Sequence, residues 1–336
     1  MMNNNLRESD PTPKKNELVF SGSGEEFFGI WITNILLSIC TLGIYSAWAK
    51  VRTTNYFYGS TKLAGAPFSY TANPVAILKG RIFAILGFFA YSYFSQAYPG
   101  VGIFLIIVLT LFTPFIITRS LNFRLQNTEY RGLRFGFRGT TAEAYKIFLL
   151  EYLLMIITFG ILFPRWEAKR KAFYVGNIHF GTSQFSSNPS IIFFYQVAGI
   201  VIVNLAIYSA LFYASSTIGI SEILLLLAYP VLGLAVAYWF AETTNHIFAT
   251  SQLENIQFQS SLTTGGLAKL WLVNLLLITF TLGFATPWVM VRNARYRISN
   301  TNVLADNLDS FIVQETSNTS ALGEEIGEAF DIDLSI

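Results

Sequence analysis

The sequence predicts an all-α polytopic membrane protein of about seven apolar helices in 3+3+1 internal repeats, with short hairpin-like connections at the helix ends. Three observations predict it. The 336 residues are 53% hydrophobic, 16% aromatic and only 12% charged, about half the charged share of a soluble domain. Charge is also segregated: residues 82–118 carry none, and Glu222 is the only charge in 172–241. An uncharged run of 37 residues exceeds one bilayer crossing, which takes about 20 residues, and fits two helices with a tight turn. Third, Thr41, Leu42, Gly43 and Trp48 return as Thr158, Phe159, Gly160 and Trp166, and again as Thr281, Leu282, Gly283 and Trp288. Each set closes an apolar run, and a basic residue follows each tryptophan by four places: Arg52, Arg170 and Arg292. A repeated apolar unit of roughly 120 residues is the plan of many transporter folds.

In chain order, residues 1–17 are a polar N-terminal tail. No basic head adjoins a short apolar stretch and a small-residue cleavage site, so the first apolar segment is expected to stay as an anchor. Membrane repeat 1 covers 18–130, repeat 2 covers 131–250 and a truncated repeat 3 covers 251–304. Residues 305–336 hold eight acidic and no basic residues and read as a mostly disordered tail. The apolar segments fall at about 27–47, 82–97, 101–118, 142–163, 191–214, 222–241 and 267–286. Asn73 and Pro74, or Asn188 and Pro189, introduce the apolar pairs. Gly43, Gly160 and Gly283 read as helix stops, and Pro164 and Pro287 suit the first turn of a new helix, with Thr286 placed to cap it. Each new helix carries aromatic and basic residues together, which favours the membrane surface.

The polar connections have their own rhythm. Leu63 and Phe68, Tyr130 and Phe135, Phe180 and Phe185, Leu253 and Phe258, and Val303 and Leu308 are pairs five residues apart. Thr61, Thr128, Ser251 and Thr301 stand two places before four of them. These are expected to be short hairpins or extended segments at helix ends. Topology stays open between two readings. If all seven segments cross, the 22 Lys and Arg divide 14 to 8 and the C-terminus is cytoplasmic by the positive-inside rule. If the signature segments enter and leave on one face, every basic residue is cytoplasmic.

Seven residues before each repeated threonine stands a polar residue, giving the pairs Asn34 and Thr41, Glu151 and Thr158, and Asn274 and Thr281. That spacing is close to two helical turns, so each pair shares a helix face. These six are the candidate intramembrane polar site, and Glu151 is its sharpest member because a carboxylate in an apolar helix is costly. Hydrogen bonding between helices is the alternative role. Trp48, Arg52, Trp166, Arg170, Trp288 and Arg292 read as interface anchors. Lys79, Arg81, Arg131, Arg134 and Arg138 face anionic lipid headgroups or simply set topology.

His179 and His246 lack acidic or cysteine partners at metal-ligand spacing, and Cys40 is alone. Neither metal nor cofactor is expected, no phosphate loop, dinucleotide fingerprint or nucleophile elbow is present, and no nucleic-acid partner is expected. The partners implied are the lipid bilayer and a protein surface for the acidic tail, which is expected to dock on the basic loops. The functional reading is a transporter, channel or small-solute binding bundle, or else a scaffold acting through basic loops and acidic tail.

The residues that carry the repeat also carry a resemblance. The run Phe20, Gly22, Thr33, Asn34, Thr41, Leu42, Gly43, Trp48, Lys50, Arg52 and Gly59, the stretch Tyr130, Arg131, Gly132, Leu133 and Phe135, and the ending Leu322, Gly323, Glu324, Glu325 and Phe330 resemble the YjgN-like bacterial inner-membrane proteins. The resemblance implies a multi-pass protein of the bacterial cytoplasmic membrane in a family of unknown function, and supplies no catalytic or ligand residues. Copies two and three depart from the first at Pro164, Arg165 and Pro287.

Overall fold

A computed structural model describes residues 14–218 and 222–333, so most of the N-terminal tail and the last three residues lie outside the described chain. It corrects the all-α expectation. Among the described residues, ten antiparallel strands close into a barrel, and three helices rather than seven are long and apolar enough to cross a membrane: Pro74–Ala97, Pro99–Gln126 and Ile191–Ala214.

The order is regular. Strand β1 (Lys14–Phe20) leads to the helical pair α1 (Gly24–Cys40) and α2 (Ser46–Ser60), then to hairpin β2 (Thr61–Leu63) and β3 (Ala66–Tyr70). Pair α3 (Pro74–Ala97) and α4 (Pro99–Gln126) leads to β4 (Thr128–Tyr130) and β5 (Leu133–Phe137). The third excursion runs through α5 (Thr141–Tyr145), a π turn (Lys146–Glu151), α6 (Tyr152–Ile157) and α7 (Phe163–Gly176) to β6 (Ile178–Phe180) and β7 (Ser183–Ser187). Pair α8 (Ile191–Ile218) and α9 (Glu222–Ala249) leads to β8 (Ser251–Leu253) and β9 (Ile256–Ser260). Pair α10 (Thr264–Phe280) and α11 (Thr286–Ser299) leads to β10 (Thr301–Ala305), and α12 (Leu308–Asp333) ends the chain. The acidic tail is thus largely helical.

The five-residue rhythm has a geometric cause. Leu63 pairs with Ala66 across a two-residue turn, and Phe68 lies two places further along the same face, so both side chains point into the barrel. Ala64 and Gly65, and Arg131 and Gly132, all have positive φ, as a tight hairpin turn requires. Thr61, Thr128, Ser251 and Thr301 stand where a returning helix becomes a strand. Each hydroxyl donates to a carbonyl of the last helical turn, at 2.8, 2.9, 2.6 and 2.9 Å, satisfying acceptors that the helix leaves orphaned. At the outgoing junctions Ser23, Asn73, Thr140, Ser190 and Thr263 accept a backbone N–H from the first turn, the usual N-cap bond.

β1 closes the barrel by pairing with both β2 and β10. The truncated third repeat packs against the first across this closure, with Phe20, Phe27 and Val291 in one buried cluster. Trp288 lies so close over Gly24 that a Cβ there would meet the indole at 2.2 Å.

The three signature turns sit at the tips of the short helical pairs, farthest from the barrel. Thr41, Thr158 and Thr281 donate to the carbonyl four residues back, at 2.7, 2.8 and 2.6 Å. Each hydroxyl also accepts from the backbone N–H four residues on. Leu42, Phe159 and Leu282 follow with φ of 50° and are 95%, 97% and 90% exposed. Each is succeeded by a glycine with φ of 86–91°. A large apolar side chain held fully outward at three matched tips has lipid as its natural solvent. Gly160→Val is expected to lower stability by about 1–2 kcal/mol through left-handed backbone strain, read as reduced thermal stability in detergent; an unchanged melting temperature would show that the turn does not hold this geometry.

Candidate functional site

The barrel has two unlike ends. One is ringed by the helix junctions, and the other carries the hairpin turns and is covered by α12. Leu308 and Ile312 of α12 are buried with Leu63, Tyr130, Phe180, Leu253 and Val303 of the strands, with Phe311 packed against them. Two polar latches fix this cover. Arg131 at the β4–β5 turn pairs with Asp309, which holds the guanidinium above its ordinary value. Glu315, 2% exposed, accepts from the backbone N–H of Thr182 at 2.6 Å and of Ser183 at 3.2 Å, and from both hydroxyls at 2.9–3.1 Å. A Cβ at Gly181 would meet its carboxylate at 2.4 Å, so that turn needs glycine. Burial pushes the Glu315 carboxyl up, and the bonds from Thr182 and Ser183 outweigh this and hold it below its ordinary 4.5.

Beneath the cover, the barrel encloses a cavity of about 310 Å³ lined by Leu18, Phe68, Phe135, Phe185, Phe258 and neighbouring apolar side chains. Its two polar lining residues are spent internally: Tyr130 Oη donates to Leu63 O at 2.7 Å and Thr301 Oγ1 to Arg297 O at 2.9 Å.

At the helix end, a cavity of about 720 Å³ lies among α7, α9, α10 and α11. Trp166, Trp239 and Trp271 wall it, together with Phe163, Phe240 and Phe248. Glu167, Arg170, Lys171 and Arg297 give it charge. Arg170 makes a two-pronged contact with the buried Glu167 at 2.8 and 2.7 Å and lies 5.2 Å over the Trp166 ring. Lys171 stands 3.7 Å from Glu167 and donates to Thr243 Oγ1 at 2.7 Å. The buried hydroxyl of Ser260, also on the lining, has no hydrogen-bond partner among the described residues. Three cations face one carboxylate, so the cavity carries a positive surplus.

The six candidate polar residues fall differently. Asn34 donates to Ala49 O and Thr53 Oγ1 of α2 at 3.5 and 3.4 Å. Glu151, 5% exposed, pairs with Arg165 at 3.0 Å and with Lys169, both on α7. Asn274 donates to Asn293 of α11 at 3.0 Å. Each ties an outgoing helix to its own return helix, and no bond joins one of the three to another. Glu151 opens on a cleft of about 290 Å³ with Glu143, Lys146, Lys169 and Asn177, where opposite charges nearly balance. Of the tryptophan and arginine pairs, Trp166 and Arg170 line the larger cavity, Arg52 is exposed, Trp48 stacks on Tyr45 and Trp288 lies beside Phe28. His246 accepts from Ser190 N at 2.9 Å and stacks on Phe193. Burial, with Arg138 adding, holds the His179 imidazole below its ordinary value.

Sequence reasoning passed over Glu167, Lys171, Ser260, Arg297 and Glu315. A usable signal existed for Glu167: it is the lone acid between Arg165 and Lys171, which places it amid cations on one or two helical turns.

The fold and its cavities define a membrane protein built on a closed barrel from which helical pairs project. The chain belongs to the family described as bacterial protein of unknown function (DUF898), which matches residues 15–329. It is 33% identical over 167 residues to the inner membrane protein YjgN of Salmonella typhimurium strain LT2, covering 48% of this chain and 41% of that one. It is 32% identical over 151 residues to the YjgN protein of Escherichia coli K12, covering 43% and 37%. The chain therefore spans about two fifths of the length of these relatives. No solved structure matches it. The relatives place the protein in the bacterial inner membrane.

Because the Glu315 value is depressed on folding, its contribution to holding α12 is complete above pH 4.5 and is lost as pH falls through the folded value. Glu315→Gln is expected to weaken the docked helix by about 2 kcal/mol at neutral pH, seen as faster proteolysis within 308–333. Equal cleavage rates in both proteins would remove the latch.

Proposed function

We propose that the protein is a solute-binding bundle whose ligand is an amphiphile with an anionic head, bound in the 720 Å³ cavity. One observation carries this reading: three indoles, a positive surplus and an unpartnered buried hydroxyl converge on one space at the barrel rim. Indoles suit the boundary between acyl chains and headgroups, and arginine suits phosphate or carboxylate. A channel or transporter path along Asn34, Glu151 and Asn274 draws less support, since each is bonded within its own hairpin.

The proposal includes a topology. Both ends of every helical pair join the barrel, and no Lys or Arg lies in the turns at 41–45, 98–100, 158–162 or 281–285, nor in the sequence 215–221. Positive charge therefore accumulates on the barrel side, which the positive-inside rule assigns to the cytoplasm along with the C-terminus. The 24 and 28 residues of α3 and α4 reach roughly 36–42 Å and span the bilayer, as does α8, and α9, also 28 residues long, returns to the barrel. The 17 residues of α1 and α10 reach only about 25 Å, so the short pairs dip in and return.

Two measurements test these statements. In a Cys40→Ser background, a cysteine at Tyr98 is expected to react with an impermeant reagent from the periplasm and one at Arg134 only after lysis; the reverse pattern would overturn the orientation. Brominated phosphatidylglycerol in nanodiscs is expected to quench tryptophan fluorescence more strongly than brominated phosphatidylcholine, with Arg297→Gln weakening the effect roughly fivefold. Equal quenching by both lipids would dispose of the anionic-head reading.

A further inference from the structure

The rim cavity and the barrel lumen are neighbours: Phe248 and Thr301 line both. On its other side the rim cavity shares Phe163 and Trp239 with an apolar groove of about 760 Å³ between α6, α7, α8 and α9. Three spaces thus run in series from the bilayer-facing helices, through the charged rim, into the barrel.

We infer that the barrel lumen is a binding site for a single unbranched hydrocarbon chain, which enters past Phe248. The inference rests on the amphiphile reading and adds to it where the apolar part goes. The lumen supplies no free hydrogen-bonding group, because its phenol and its threonine hydroxyl are bonded to backbone carbonyls. A polar solute would lose its water there without compensation. A ten-strand barrel is wider than the roughly eight strands whose interior side chains just fill. The volume left, about 310 Å³, equals that of about ten water-sized groups, which suits a chain of similar carbon count and excludes a sterol-sized ring system together with its head. The far end is stopped by Leu308, Phe311 and Ile312, so a chain enters from the rim, where the anionic head remains beside Arg170 and Arg297. The same geometry makes the lumen a blind pocket rather than a conduit.

The test is photolabelling of the full chain in nanodiscs with palmitate carrying a diazirine near its methyl end, followed by peptide mapping. Saturable adducts on β6 and β9, near Phe180 and Phe258, are expected, because these strands lie outside the bilayer. Val303→Trp should fill the lumen and cut those adducts at least tenfold while leaving adducts on α3 and α4. Phe258→Ala, which enlarges the lumen, should raise them, and serves if the tryptophan variant does not fold. Adducts at Trp166 and Trp239 but none in the strands would overturn the lumen inference and leave the rim site standing. Strand adducts insensitive to both variants would also overturn it. Absence of saturable labelling at rim and lumen alike would remove both.

Discussion

The pairing of β1 with β10 is the constraint on which the rest depends. It joins residues 14–17 to 302–305, so backbone hydrogen bonds close a ring whose two sealing strands are the first and the last of the ten. A closed ring has no exposed edge to satisfy, and it also fixes where every other segment begins and ends. Any helix that leaves the rim must be followed by one that returns to the next strand. Helices therefore come in pairs, and a single helix crossing between strands is excluded by connectivity. The same closure brings the first and third signature hairpins side by side, which gives the short third copy the neighbour it would otherwise lack.

Much of this was written in the chain, and what was missing has physical causes. The Thr-Leu-Gly and Thr-Phe-Gly signatures encode a turn whose hydroxyl bonds both helices and whose next two residues have positive φ; sequence periodicity located it at all three places. Four of the five-residue pairs located the hairpins, whereas Val303 and Leu308 lead from β10 into α12, and the hydroxyls before them located the helix-to-strand junctions. Closure was not legible, because every strand but the seven-residue β1 has three to five residues, too short to show alternation, and nothing local in Lys14 or Ala305 announces a partner nearly three hundred residues away. Counting apolar segments then overstated the crossings: 27–47 and 267–286 are each a helix plus a turn and the start of a second helix, not one span.

The polar residues divide by the same logic. Asn34, Glu151 and Asn274 occupy equivalent positions, each seven residues before its threonine. Spacing does not say which way a side chain's partner lies. Each faces the return helix of its own pair, where a buried amide or carboxylate must find a donor or pay the cost of burial. Copy two needs charge because α7 brings Arg165 and Lys169 against it, whereas α2 and α11 offer Thr53 and Asn293. Glu151 is thus matched to the inserted Arg165 that sets copy two apart, and the two residues are best understood together.

The rim cavity arises where this pairing is asymmetric. Glu167, Arg170 and Lys171 sit on the face of α7 opposite the Lys169 contact with Glu151, turned toward α9 and α11. There Glu167 can neutralise only part of the charge of Arg170, Lys171 and Arg297. An excess cation beside a half-buried tryptophan wall draws an anion or water to it, and the unpartnered Ser260 hydroxyl adds a second unmet demand. On the lumen side of Phe248 the demand is reversed, since every polar group is already bonded. A ligand that satisfies both sides must carry its charge at one end and hydrocarbon at the other. The boundary between those environments falls at the ring of helix junctions, so the barrel closure that organises the fold also fixes the order in which such a molecule meets charge and then grease.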